Sequence, residues 1–216
     1  MNVTARDSSG GNGSSAARRA PSQQRSRERV ERMLAAAAAL IEEKGSDTMR
    51  MGEVAERAGV SIGSLYQFFP DKAAIIRTLA ERYNALGRDC IQTELSAASD
   101  RADLKDAFGR LVDIYYGMFL TEPVMRDVWS GMQADKTLRE VELGESRLNG
   151  ALLADAMTRL RPEADREVLE RSAFLIMSLG EATMRLAISV ERAEGDSLVE
   201  AYKRMAISEI DAERSS

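Results

Sequence analysis

The residues Gly59-Val60-Ser61-Ile62-Gly63 spell Gly-x-Ser-x-Gly, the pattern of a strand-to-helix elbow that presents a nucleophilic serine. That chemistry needs a strand ahead of the serine and a histidine base beside it. The 216-residue chain has no histidine, and the residues before Ser61 carry helical periodicity, so the match is accidental. The same absence removes Cys-His catalysis, the His-Glu-x-x-His zinc site and every imidazole metal ligand. A single cysteine, Cys90, excludes an internal disulfide and a thiolate cluster and points to a reducing cytoplasm. The carboxylate pairs Glu42-Glu43 and Glu140/Glu142 lie among basic residues at helical spacing and read as solvated helix faces. No catalytic residues, metal site or cofactor are expected, and the chain does not read as an enzyme.

What remains is the chemistry of recognition. The net charge of −5 divides into +3 over residues 1–83 and −8 over 84–216. An acidic pI near 5.1 therefore leaves room for a nucleic-acid-binding face at the N-terminal end. Within that end, Ser64, Tyr66 and Gln67 are close together on one proposed helix, with Ser61 before them and Lys72 after. Glutamine can pair with adenine in bidentate fashion, serine can reach a base or a phosphate, and a phenol can donate to phosphate. Lys72 opens the next helix, where the helix dipole already attracts anions. Arg50 reads equally as a phosphate contact or as a surface charge.

The elements that must hold these groups follow from the pattern around them. Val30, Met33, Leu34, Ala37, Leu40 and Ile41 recur at helical spacing, and Gly45 suits the closing position. Thr48 can cap a short helix, Arg50–Arg57, whose Val54 and Ala55 face the first. Gly59 then turns the chain, and Ser61 caps a second short helix in which Leu65 and Phe69 point inward. Ile62, Gly63, Ser64, Tyr66 and Gln67 are left to the outer face by the 100° step between helical residues. Two short helices joined by a tight glycine turn make a helix-turn-helix, whose second helix enters the major groove.

The run Ala58-Gly59-Val60-Ser61, then Gly63, Leu65-Tyr66, Phe69 and Lys72, preceded by Glu43-Lys44-Gly45 and Thr48, resembles the tetracycline-repressor (TetR) family. The resemblance covers roughly residues 27–75, and its Leu-Tyr-x-x-Phe-Pro-x-Lys exit separates it from other helix-turn-helix proteins. It implies DNA contact at Thr48, Ser61, Gly63, Ser64, Tyr66, Gln67 and Lys72. Ile62 stands where the family often has lysine, exchanging a phosphate contact for apolar contact with a thymine methyl. Gln67 stands where histidine or asparagine is frequent, which bears on the operator sequence and not on the mode of binding.

The rest of the chain also reads as helix, and the fold class is all-α. Residues 1–24, rich in Gly and Ser, are expected to be a disordered tail. A three-helix DNA-binding domain covers 25–71, and a helical effector-binding and dimerisation domain covers 72–216. Its helices are expected from Lys72 to about Ala98, over 104–119, 124–133, 138–160, 165–194 and 196–213. All four prolines fall in the tail or at helix boundaries. The longest nearly uncharged apolar run, Ser172 to Gly180, is nine residues, too short for a membrane span.

Two features stand out in that domain. Phe108, Tyr115, Phe119, Trp129, Met132, Met157, Phe174 and Met177 are bulky and adaptable, and could line a pocket for a small apolar, aromatic or acyl effector. From Ala173 to Leu179 one helix is apolar almost all round, so both faces need cover. Ala173, Ile176, Leu179, Gly180 and Leu186 are the candidate dimer contacts, and the family resemblance implies a four-helix bundle across a two-fold axis. The resulting expectation is a cytoplasmic, homodimeric, ligand-responsive regulator, a repressor, on a pseudopalindromic operator of double-stranded DNA. An effector-independent DNA-binding regulator or adaptor is the alternative.

Overall fold

The computed structural model describes residues 14–132 and 136–212, and the side chains of 23–129 and 139–212 among them. Over those residues the chain is nine α-helices with no strand. Alanine-rich segments with few aromatic or β-branched runs favour that outcome.

Helix α1 (Ser14–Lys44) buries Met33, Leu34, Ala37 and Ile41 in one stripe. It ends at Gly45, whose φ of 84° no side chain adopts easily. The helix starts earlier than expected: residues 14–24, read as part of a disordered tail, are helical, and Pro21 lies inside α1. Alanine and arginine are strong helix formers, and extending a nucleated helix costs far less than starting one. Residues 1–13 lie outside the described residues.

Helices α2 (Met51–Arg57) and α3 (Ile62–Phe68) complete the head. Between them Gly59 has φ 64°, with its N–H on the Glu56 carbonyl and the Val60 N–H on the Ala55 carbonyl. Those two bonds close α2 as a left-handed cap. Thr48, expected to cap α2, lies too far ahead of it; the N-cap is Arg50, whose backbone N–H donates to Glu53 Oε2 at 3.1 Å. Thr48 Oγ1 instead donates to the Lys44 carbonyl at 2.7 Å, satisfying an orphan acceptor at the end of α1. Val54, Leu65, Phe69 and Ile75 fill the space between the helices, each almost wholly buried. Leu65 alone stabilises the head by about 1.5–3 kcal/mol.

Asp71 caps α4 (Lys72–Ala97) by accepting the Ala74 N–H at 2.8 Å. The helix runs from the head into the second domain, formed with α5 (Arg101–Thr121), α6 (Pro123–Met132), α7 (Lys136–Leu160), α8 (Arg166–Ile188) and α9 (Arg192–Asp211). Pro70 and Pro162 lie between helices, and Pro123 takes the first position of α6, where a missing N–H is harmless.

Helix α8 packs on α7 and α9. The break between α8 and α9 falls at 189–191 and not at Glu194-Gly195. Gly195 is no helix terminator: it sits in the first turn of α9, where a Cβ would come within 2.4 Å of the Ala187 carbonyl oxygen. The glycine is there for a close approach of two helices. The faces of α8 are also sorted differently from expectation. Ala173, Ile176 and Gly180 are buried in the chain's own core, whereas Leu175, Leu179 and Leu186 point out to solvent.

Candidate nucleic-acid interface and effector cavity

Ser61 caps α3 by accepting the Ser64 N–H on its side-chain oxygen at 3.1 Å. With Leu65 buried at the centre of α3, the 100° step throws Ile62, Gly63, Tyr66 and Gln67 outward, and all four are exposed. Ile62, 45% exposed, and Tyr66, 50% exposed, lie one helical turn apart on that outer face. A Cβ at Gly63 would meet nothing within 4 Å, so nothing inside the chain requires glycine there.

Three residues of the expected set are differently employed. Ser64 is half-buried, and its hydroxyl oxygen is enclosed without a partner in the free protein. Thr48 is exposed but spends its hydroxyl proton on α1. Lys72 does not project freely: its ammonium donates to the carbonyls of Ser46 and Asp47 at 2.9 and 3.0 Å, clamping the α1–α2 turn to the start of α4. Arg50 and Ser61 are exposed at the N-caps of α2 and α3.

The second domain holds a cavity of about 100 Å³, partly open to the surface, between α4, α5, α6, α7, α8 and α9. Four of the eight expected residues line it: Phe108, Tyr115, Trp129 and Met177. Phe119 is buried behind the wall, edge-on to Trp129 with centroids 6.1 Å apart and to Tyr115 at 5.0 Å. Met157 is buried core away from the cavity, and Phe174 lies half-buried under the Arg147 guanidinium, 4.5 Å from its centroid. The side chain of Met132 lies outside the described residues. Both Met157 and Phe174 fail for one reason: helical spacing shows that a face is apolar and not which neighbour it meets.

The cavity's polar lining was not foreseen. Glu181 of α8 is nine-tenths buried on the wall. Burial, then the charge of Glu142 and a hydrogen bond with it, push its carboxyl up to about 8, against the pull of Ser146 and Arg185. Glu142, read as part of a solvated face, has only 12% of its side chain exposed and is bonded by the Arg185 guanidinium. Burial, helped by Glu181 and Glu142, holds the Tyr115 phenol well above its ordinary range, and burial raises the Cys90 thiol. Asn149 Oδ1 is buried at the wall and accepts nothing. Glu181 lay within reach of sequence reasoning, since it falls on the same stripe as Ala173, Met177, Gly180 and Met184. A carboxylate on a buried stripe calls for a partner.

Helix α6 links this cavity to the head. Met125 and Trp129 face the cavity, while Asp127 Oδ2 accepts the buried Ser46 N–H at 2.7 Å. The turn that Lys72 clamps from α4 is thus held by Asp127 from α6.

Of the five candidate dimer residues, only Leu179 (44% exposed) and Leu186 (50%) are on the outer face of α8. Leu175 and Ala182 extend that stripe, and Met205 of α9, 67% exposed, lines a surface groove together with Leu175 and Leu179.

Among the described residues no helix is long and apolar enough to cross a membrane, and no group of three or more His, Cys, Asp or Glu could hold a metal ion. Residues 33–79 match the family model described as bacterial regulatory proteins, tetR family. Residues 102–213 match that of the tetracyclin repressor-like C-terminal domain. The fold is similar to a TetR-family transcriptional regulator from Streptomyces coelicolor, with TM-score 0.65 and 23% identity over 86% of this chain and 97% of that one. It is also similar to RolR in complex with resorcinol (TM-score 0.62, 17% identity, 90% and 98% covered). A third similar structure is the regulator FadR from Bacillus subtilis in complex with stearoyl-CoA (TM-score 0.61, 14% identity, 86% and 100% covered). A search among curated protein sequences finds no match.

Proposed function

The chain belongs to the TetR family of bacterial transcriptional regulators, and from that premise we propose that it is a homodimeric, effector-released repressor acting in the cytoplasm without catalysis of its own. Each α3 enters a major groove, and a two-fold dimer presents two such helices to a pseudopalindromic operator. Gln67 reads a base edge, Ile62 meets a thymine methyl, and Tyr66 and Arg50 reach phosphates, with Gly63 letting the backbone come close. Thr48, Ser61, Ser64 and Lys72 act chiefly by shaping the head, since their polar atoms are bonded or enclosed within it.

One observation carries the effector part of the reading: α6 borders the cavity with Met125 and Trp129 and holds the Ser46 turn with Asp127. A ligand that favours a displaced α6 would move that turn and change the spacing of the two heads. Only its differential affinity for the two arrangements shifts the population. Resorcinol and stearoyl-CoA in the related structures differ greatly in size. A cavity near 100 Å³ suits a ligand with a single ring. The presence of such a cavity favours an effector-responsive regulator over an effector-independent one. The exposed stripe Leu175, Leu179, Ala182 and Leu186 supplies the surface on which two copies pair.

The test is selection of bound duplexes from random-sequence DNA by the full chain. The expected outcome is two half-sites related by a dyad, with centres about 34–36 Å or a multiple apart. Recovery of unrelated sequences, or tight binding by a monomer, refutes the reading.

A further inference from the structure

The cavity wall is mostly apolar and aromatic, with Asn84, Asn149 and Glu181 as its amide and carboxyl side chains, and the chemistry of the buried ones among them selects the ligand. We propose that the cavity takes a small lipophilic cation, an ammonium on a single-ring aromatic body, which pairs with the Glu181 carboxylate and the Asn149 Oδ1 acceptor. The inference rests on the effector reading above.

Two buried groups at the wall lack what an ammonium brings. Asn149 Oδ1 of α7 is an acceptor without a donor, and an unmade hydrogen bond at a buried acceptor is a standing cost. Glu181 of α8 is buried beside Glu142 of α7, whose carboxyl the Arg185 guanidinium bonds. Ser146 of α7 also bonds Glu181, while Tyr115 of α5 and Tyr202 of α9 face it as phenols, both raised by burial and then by its charge. With Glu181 at about 8, the empty site carries a proton there at neutral pH. An ammonium has donors for both acceptors and a charge that takes the place of that proton. Glu181 then releases its proton to solvent, and the charge inside the cavity is unchanged. Phe108, Tyr83 and Trp129 offer ring faces and edges to the cation's body. An anionic ligand would instead meet two carboxyl groups and a guanidinium already engaged.

The experiment uses three matched probes on the full chain: 2-phenylethylamine, 2-phenylethanol and phenylacetate. Trp129, the only tryptophan, lines the cavity and reports occupancy by fluorescence. Calorimetry in buffers of different ionisation enthalpy counts protons. An alkylammonium stays protonated, as lysine does up to about 10. Its association constant should rise about tenfold per pH unit between pH 6 and 7.5, level off above 8, and release one proton per ligand at pH 6.5. Glu181→Gln should abolish the pH dependence and the preference for the amine while leaving the alcohol's affinity within a few-fold. Amine binding without proton release, or a Glu181→Gln protein with the wild-type preference, would overturn the proposal. Tighter binding of the alcohol or the acid would overturn the cation and leave the effector reading standing. If none of the three probes binds or alters Trp129 emission, the effector reading fails together with the proposal.

Discussion

Replacing Asp127 by alanine removes the hydrogen bond by which α6 holds the Ser46 turn of the DNA-binding head. The Ser46 N–H it serves, at 2.7 Å, belongs to a residue only 4% exposed, so water does not readily substitute. Hydrogen bonds to charged groups contribute about 1.5–3 kcal/mol, and a buried donor left unpaired costs about as much. Local opening of the 45–49 turn should therefore become roughly 10- to 140-fold more frequent, at about 1.4 kcal/mol per tenfold. Lys72 still binds the Ser46 and Asp47 carbonyls, so the turn should loosen without detaching. Amide hydrogen exchange read at Ser46 measures the opening directly, and fluorescence anisotropy on the selected operator measures its consequence for binding. Asp127→Asn keeps a carbonyl oxygen in place and should lose only part of the protection. Unchanged Ser46 exchange in Asp127→Ala would refute the claim that α6 holds the turn, whatever happened to DNA affinity.

Four further outcomes are expected. Leu179→Arg, on the exposed face of α8, should leave circular dichroism intact and yield a monomer by sedimentation, whereas Ile176→Glu, 4% exposed, should unfold the domain. A Leu179→Arg protein that remains dimeric would place the interface elsewhere. Gln67→Ala should cost about 1–3 kcal/mol on the operator and relax one base position, while Tyr66→Phe should weaken binding to all sequences alike; competition with scrambled duplexes separates the two. Lys72→Met should lower stability in urea by about 1–3 kcal/mol, because two carbonyls lose a charged donor; an unaltered midpoint would count against the clamp. Finally, the Glu181 carboxyl lies near 8 when folded against an ordinary 4.5, so the native state holds the extra proton between those values. Stability should fall as pH rises through that window, and the slope of melting temperature between pH 6 and 8.5 should shrink in Glu181→Gln.

The helix-turn-helix was legible because its signals are local. Gly59 must turn, Ser61 can reach an N–H three residues on, and Leu65 and Phe69 lie one helical turn apart. Each relation spans a handful of residues and needs no knowledge of the remaining chain. The same locality made Gln67 and Tyr66 readable as outward once Leu65 was known to be inward. Where a local signal had two uses, the sequence could not choose between them. Thr48 could cap the helix after it or the one before it, and the distance to α2 settled the matter in favour of α1. Gly195 could end a helix or admit one, and the Ala187 carbonyl 2.4 Å from its absent Cβ shows the second.

The cavity depends on contacts between residues far apart in the chain. Glu142 and Glu181 are separated by 39 positions, and only the packing of α7 on α8 brings their carboxyls together and withholds them from water. In the sequence Glu142 is indistinguishable from its solvated neighbours, because a charge pattern records spacing and not the dielectric around it. The faces of α8 were ambiguous for a related reason. An all-round apolar stretch says that both sides must be covered, but the burial of Ala173 and Ile176 and the exposure of Leu175 and Leu179 follow from where α7 and α9 lie. Periodicity determined the helices and the reading head. Which apolar face meets which neighbour, and which carboxylate loses its water, was decided only when the helices packed, since burial is a property of the whole fold.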